Sequence, residues 1–198
     1  MNVMEWVLCL ALWTWTQVPC APILLHHRPP LPPPPPPGSL VHVPGAFQLP
    51  DPYDKLEHVI ALCPDGTHAL HFSLDNEYGA LDAFRRKDEA KIIRVPWEEV
   101  ARALESAEYH VIAPSAPPDL AGMRIREQQM TSGSYPAYDL FRNNCEHAAT
   151  YFVSGHARSA QVVNVLSSLG VPLYAAKIVA RPLNLNEVLK TNDNDKKK

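Results

Sequence analysis

Residues 29–37 read PPLPPPPPP, and no packed core accepts such a run. Proline has no backbone N–H to give and its φ is fixed, so the segment is expected as a polyproline II rod. Ten of the 21 prolines lie between Pro19 and Pro37. The run divides the chain into an apolar leader (1–25), a Pro-rich linker (26–37) and a body from residue 38. Apolar residues at 46% and charged residues at 20% are ordinary for a globular body with a real core. A net charge of −3 gives no electrostatic case for nucleic acid as a partner. The run itself has two readings: a ligand for an SH3- or WW-type partner, or a stiff spacer. No basic residue follows it to orient a groove-bound ligand, which favours the spacer.

The leader reads MNVMEWVLCLALWTWTQVPCAPILL, with an unbroken apolar run Trp6–Trp13. A bilayer span takes roughly 20 mostly apolar residues, so the run alone is too short. It suits the apolar region of a signal peptide, with Val18 and Cys20 at −3 and −1 of a cleavage site. The first residues carry no Lys or Arg, however, as signal peptides normally do, and His26, His27 and Arg28 after the run favour keeping the downstream side cytoplasmic. A cleaved signal, an anchor and an incidental apolar segment all stay open. Far downstream, 162–180 is broken by Asn164, Gly170, Pro172 and Lys177 and reads poorly as a span. The tail 191–198 (TNDNDKKK) is polar and expected disordered.

The body keeps two cysteines, Cys63 and Cys145, too few for a disulfide framework and without zinc-type spacing. Gly38-Ser-Leu-Val-His-Val-Pro44 alternates as a strand. The stretch 56–74 reads as a β-hairpin about the turn signal Pro64-Asp65-Gly66. Lys91–Val95 is a further strand, and Pro96 at a first helical position, with Glu98 and Glu99 in the first turn, opens a helix. Tyr109–Ala113 suggests another strand, and Asp119 an N-cap over Leu120–Met130.

The segment 144–155 carries the chemistry. Asn144 is a good N-cap and Gly155 a good residue just past the C-terminus. Cys145, Ala148, Ala149, Phe152 and Val153 then share one face at helical spacing. A thiol in the first helical turn feels the positive end of the dipole, which favours thiolate and a nucleophile; a buried structural cysteine is the plain alternative. The hairpin offers the base. With Asp65-Gly66 as a two-residue loop, paired positions sum to 131 and His71 is a diagonal neighbour of His58. With Pro64-Asp65 as the loop, the two face each other. Either register puts His58 and His71 on one face and His68 on the other. The arrangement is Cys–His–His: a nucleophile, a base and an imidazole that orients it. His42, His110, His147 and His156 read as ordinary surface histidines.

Asn143-Asn144-Cys145-Glu146-His147, followed by Thr150, Tyr151 and Gly155, resembles the NCEH block of the lecithin:retinol acyltransferase-like family of thiol acyltransferases and phospholipases, related to NlpC/P60 peptidases. Gly38–Pro44, Glu57-His58-Val-Ile-Ala-Leu, the Asp65-Gly66 turn with the later His71, and Tyr138–Asn144 are similar to further blocks, so the likeness covers about 38–160. It implies an α+β fold of NlpC/P60 (permuted papain-like) type, an antiparallel sheet against the helix that carries the cysteine. It further implies Cys145 as nucleophile, His58 as general base, and His71 as the residue that polarises His58, with His68 in reserve. Glu146 and His147 belong to the motif without a catalytic role. The implied reaction moves an acyl chain from a glycerophospholipid onto Cys145 as a thioester, then to water, an amine or an alcohol. It needs no cofactor and no metal, and its partners are the phospholipid and a membrane surface, in the secretory pathway or on the cytoplasmic face.

Three departures matter. The His58–His71 interval is one residue longer than the family pattern, Ala148-Ala149 replaces larger apolar residues, and the C-terminal membrane helix common in the family is interrupted. With no intact span there, membrane access falls to the leader or to surface association of 161–190. The departures motivate a second reading, a non-catalytic interaction module on the same fold. A third, a cysteine peptidase of NlpC/P60 type, fits the apolar leader less well. Substrate choice is expected to depend on 72–95.

Overall fold

The computed structural model describes residues 31–44, 51, 56–73, 89–133 and 135–182. The expectations for the leader, for the tail and for most of 72–95 lie outside these residues. Five strands form one antiparallel sheet: β1 (Leu40–Val43), β2 (His58–Leu62), β3 (His68–Ser73), β4 (Lys91–Pro96) and β5 (His110–Ile112), in the order β4-β3-β2-β1-β5. Five helices accompany them: α1 (Trp97–Leu104), α2 (Leu120–Thr131), α3 (Cys145–Ser154), α4 (Ala160–Ser168) and α5 (Leu173–Val179). The class is α+β, as the sequence suggested.

Alternation along the strands builds two cores, one on each face of the sheet. Val41, Val43, Ile60, Leu62 and Ala69 pack under Trp97, Val100, Ala101 and Leu104 of α1. Val59, Ala61, Cys63, Leu70, Phe72 and Ile92 pack under α2 and α3, against Met123, Met130, Cys145, Ala148, Ala149 and Phe152. The second face explains the Ala148-Ala149 pair. Small residues on α3 meet Ala61 on β2 and Cys63 just after it, and the helix settles close to the strand.

The hairpin adopts the first of the two expected registers. Ala61 pairs with Leu70 and Leu62 with Ala69, a sum of 131. Asp65 locks the turn: its Oδ1 accepts the N–H groups of Thr67 and His68 at 3.0 and 3.1 Å, while Gly66 takes a left-handed φ of 69°. Pro96 ends β4 rather than starting the helix. Its φ of −58° and ψ of 141° are extended, so it stands as the N-cap residue and helical geometry begins at Trp97. Trp97 also fixes the proline run, because its Nε1 donates to the Pro32 carbonyl at 3.0 Å and Leu31 packs against the α1 core. The run is thereby tied to the body at Leu31 and Pro32, while the side chains of Pro32, Pro33, Pro34 and Pro36 stay exposed. Gly170 and Pro172 part α4 from α5, and among the described residues no helix is long and apolar enough to cross a membrane.

Candidate functional site

Cys145 opens α3, and the chain before it is tightly specified. Asp139 Oδ1 accepts the N–H groups of Phe141 and Arg142 at 3.0 and 2.9 Å. Asn143, buried, donates through Nδ2 to the carbonyls of Pro136 and Ala137, both at 2.9 Å. Asn144 then caps the helix, its Oδ1 accepting from His147 N at 3.0 Å while the His147 ring reaches back to the cap backbone. Gly155 closes α3 with φ 76°, donating to Tyr151 O at 2.7 Å.

The two remaining motif residues are structural ties. Glu146 is buried and receives the N-terminus of α4: Ser159 Oγ donates to Oε2 at 2.5 Å, Ala160 N to Oε1 at 3.2 Å and Gln161 N to Oε2 at 3.1 Å. A carboxylate there satisfies donors that the helix leaves unpaired and meets its positive end. His147 is fully buried between Asn144 and the Ala180 carbonyl, 3.2 Å from its Nε2. It is a core histidine that pins the end of α5 to α3, not a surface one.

The Cys145 side chain is 3% exposed, and Sγ donates to the Glu57 carbonyl at 3.4 Å. Burial pushes its pKa up to about 12, against the pull of the Val59 N–H, and the Glu146 charge adds to the rise. The expectation of a resting thiolate is thereby corrected. The helix dipole acts in the expected direction, but removing the sulfur from water outweighs it.

His58 and His71 do meet. His58 Nε2 lies 3.0 Å from His71 Nδ1, with the rings edge to face at 83°. His71 Nδ1 is also 3.0 Å from the Phe72 carbonyl, which can only accept, so that nitrogen carries the proton and His58 Nε2 accepts. Burial, then the neighbouring His71, lower the pKa of His58 to about 3; burial lowers that of His71 despite the Phe72 carbonyl. The pair opens into a cavity of about 360 Å³ with Val43, Ile60, Val95, Val100 and Leu104 among its walls.

That cavity belongs to the α1 face, and here the sequence reading needs correction. His58 shares its side of β2 with Ile60 and Leu62, whereas Cys145 packs with Val59 and Ala61. The sheet stands between the thiol and the two histidines, so the Cys–His–His set is not brought together. The reason is parity. Hairpin geometry puts His58 and His71 on one face but does not say which face α3 covers, and α3 takes the side with the smaller residues. His68 has the parity of Leu70, on the α3 side, but it sits at the turn, with Nδ1 2.8 Å from Asp65 Oδ2.

A different group occupies the thiol's side. His42 pairs with Val59 and is therefore on that face, its side chain 8% exposed. Its Nδ1 lies 2.7 Å from Glu57 Oε2, and its ring stacks on His110 of β5 at 4.9 Å and 23°. Gln161 holds the Glu57 N–H through Oε1 at 2.8 Å. His42 Nε2 and Gln161 Nε2 are buried without hydrogen-bond partners among the described residues. Sequence reasoning passed over this group because His42 looked like one more strand histidine. The signal was the β1 alternation, which sets Leu40 and His42 against Val41 and Val43. The chain matches no family model, no curated protein and no solved structure.

Proposed function

We propose that this chain is a thiol-dependent acyltransferase or phospholipase of the lecithin:retinol acyltransferase-like type, on an NlpC/P60-like arrangement, with Cys145 as nucleophile. The observation that carries the reading is the seat of the sulfur. It sits at the start of a doubly capped helix, with the Val59, Cys145 and Glu146 N–H groups favouring its negative form. Cys145 Sγ attacks the ester carbonyl carbon of a glycerophospholipid, and the lysophospholipid oxygen leaves with the proton taken from sulfur. The resulting thioester is then opened by water, an amine or an alcohol. Of the two histidine systems, His42 is the one on the thiol's side, and Glu57 Oε2 orients it as a carboxylate orients the base of a triad. We assign it the proton transfer that the family likeness gives to His58. Gln161 Nε2, unpartnered among the described residues while Oε1 holds the Glu57 N–H, suits a donor to the developing oxyanion.

A membrane surface is the proposed place of action. α5 exposes Leu173, Tyr174 and Ile178 beside Lys177, with Leu169 just before it and Arg181 just after, an apolar patch edged with positive charge that suits an anionic bilayer.

The test is fatty-acid release and intact mass on a short-chain phosphatidylcholine. Cys145→Ser abolishes both the release and an acyl-sized mass gain, and His42→Ala lowers the rate at least 100-fold. If His58→Ala abolishes release and His42→Ala leaves it intact, the base is His58 and the working enzyme turns the other face of β2 toward the thiol. The interaction-module reading draws on the protonated thiol and the separated His58–His71 pair. Absence of both adduct and release in the folded wild type would establish it.

A further inference from the structure

The geometry points to a transition-metal site, best suited to Zn²⁺, formed by His42, Glu57 and His110 at the junction of β1, β2 and β5. One ligand atom from each residue lies within 4.8 Å of the other two. His42 Nδ1 is 2.7 Å and His110 Nε2 3.9 Å from the same oxygen, Glu57 Oε2. Ligands at about 2.0–2.2 Å in a tetrahedron stand roughly 3.3 Å apart, so the two observed separations bracket what an ion requires. Two imidazoles and one carboxylate are a common zinc donor set, and three protein ligands leave a fourth position open.

Two features separate this group from a chance cluster. The donors come from three different segments whose positions are fixed by strand pairing: His42 pairs directly with His110, and with Val59, two residues from Glu57. In addition, His42 is more than nine-tenths buried yet leaves Nε2 without a partner among the described residues. The nitrogen offered to the ion is Nδ1, which Glu57 already holds, so the ring is oriented as a ligand in a site shielded from water. Glu57 also has a supporting contact, since Gln161 holds its N–H.

The ion would sit on the residue whose carbonyl receives the Cys145 thiol. In the function proposed above His42 is the base, and on that reading a bound ion withholds it, so filling the site turns acyl transfer off. Binding itself does not depend on that reading.

The experiment uses the full chain, stripped with a chelator and dialysed. Zn²⁺ is titrated against a chromophoric chelator, Co²⁺ spectra report the ligand geometry, and fatty-acid release is followed in parallel. The expected result is one tight equivalent with tetrahedral Co²⁺ bands. His110→Ala, at an exposed position that the fold tolerates, weakens affinity at least about 100-fold, and Glu57→Gln does the same. Cys145→Ser and the double variant His26→Ala/His27→Ala leave it unchanged. No tight equivalent, or one that survives His110→Ala, overturns the site; loss in Cys145→Ser instead would put the ion on the thiol. Tight binding with acyl release unchanged keeps the site and overturns His42 as the base.

Discussion

Acid should destabilise this fold through His58 before it titrates most carboxylates. Burial, and then His71, hold the folded imidazole near a pKa of about 3, whereas the unfolded one titrates near 6.5. The folded pKa is depressed and the group is a base, so below pH 6.5 the unfolded chain binds the proton and the folded one does not. Stability is whole above 6.5 and falls as pH drops from there toward 3. At pH 5.0 the unfolded imidazole is almost fully charged and the folded one about 1% charged, a loss of about 2 kcal/mol. His58 keeps some exposure to its cavity, so this is an upper figure. The assay is urea unfolding at pH 7.5 and 5.0 for wild type and His58→Gln, which keeps an acceptor toward His71. The wild type should lose up to about 2 kcal/mol more than the variant between the two pH values. His147, also lowered, titrates in the same sense and remains in both proteins, so it cancels, while His71, lowered by its own burial, keeps an acceptor in the variant. Equal losses in the two proteins would mean that His58 is solvated when folded and that the α1-side cavity is not its home.

The other tests are shorter. Cys145, pushed up to about 12, should alkylate on the order of 1,000-fold more slowly than a free thiol at pH 7.5, and tenfold faster per pH unit up to pH 10, read by peptide mapping; a plateau below pH 8 would refute the burial account. Glu146→Ala strips three donors of the α4 N-terminus of their acceptor and should cost about 3 kcal/mol in urea melts; a loss under about 1 kcal/mol would mean that water replaces the carboxylate. Tyr174→Asp with Ile178→Asp, at positions 71% and 68% exposed, should leave stability unchanged and reduce co-sedimentation with anionic vesicles; undiminished binding removes α5 from the membrane face.

Local signals in this chain were legible where one residue type decides the geometry. Asp65-Gly66 set the hairpin and its register, Asn144 and Gly155 bounded α3, and Asp119 capped α2 through the Gly122 N–H. Pro96 went astray by one position because the same fixed φ suits the end of a strand and the start of a helix, and strand pairing with His68 decided between them. What could not be read locally was the side of the sheet that each helix takes. That depends on which face of β2 and the residue after it presents the smaller side chains, Ala61 and Cys63, to a helix carrying Ala148 and Ala149. The direction of the Cys145 shift was misread for a related reason. The dipole is a property of the helix and can be read from its caps, whereas desolvation is a property of what covers the sulfur.

This split has a chemical consequence. A pair of neutral, coupled imidazoles in an apolar cavity and a protonated thiol on a capped helix are each what an acyl-transfer site contains, yet the sheet holds them apart. On the thiol's side stands an imidazole whose outer nitrogen has no partner among the described residues and whose inner nitrogen rests on a carboxylate. A base needs its lone pair free and its other nitrogen held, and His42 has both, while His58 Nε2 is already engaged with His71. The unpartnered Nε2 on the thiol's own face is thus the physical ground for assigning the proposed proton transfer to His42, and the Glu57-held Nδ1 of the same ring is where the proposed metal ion would bind.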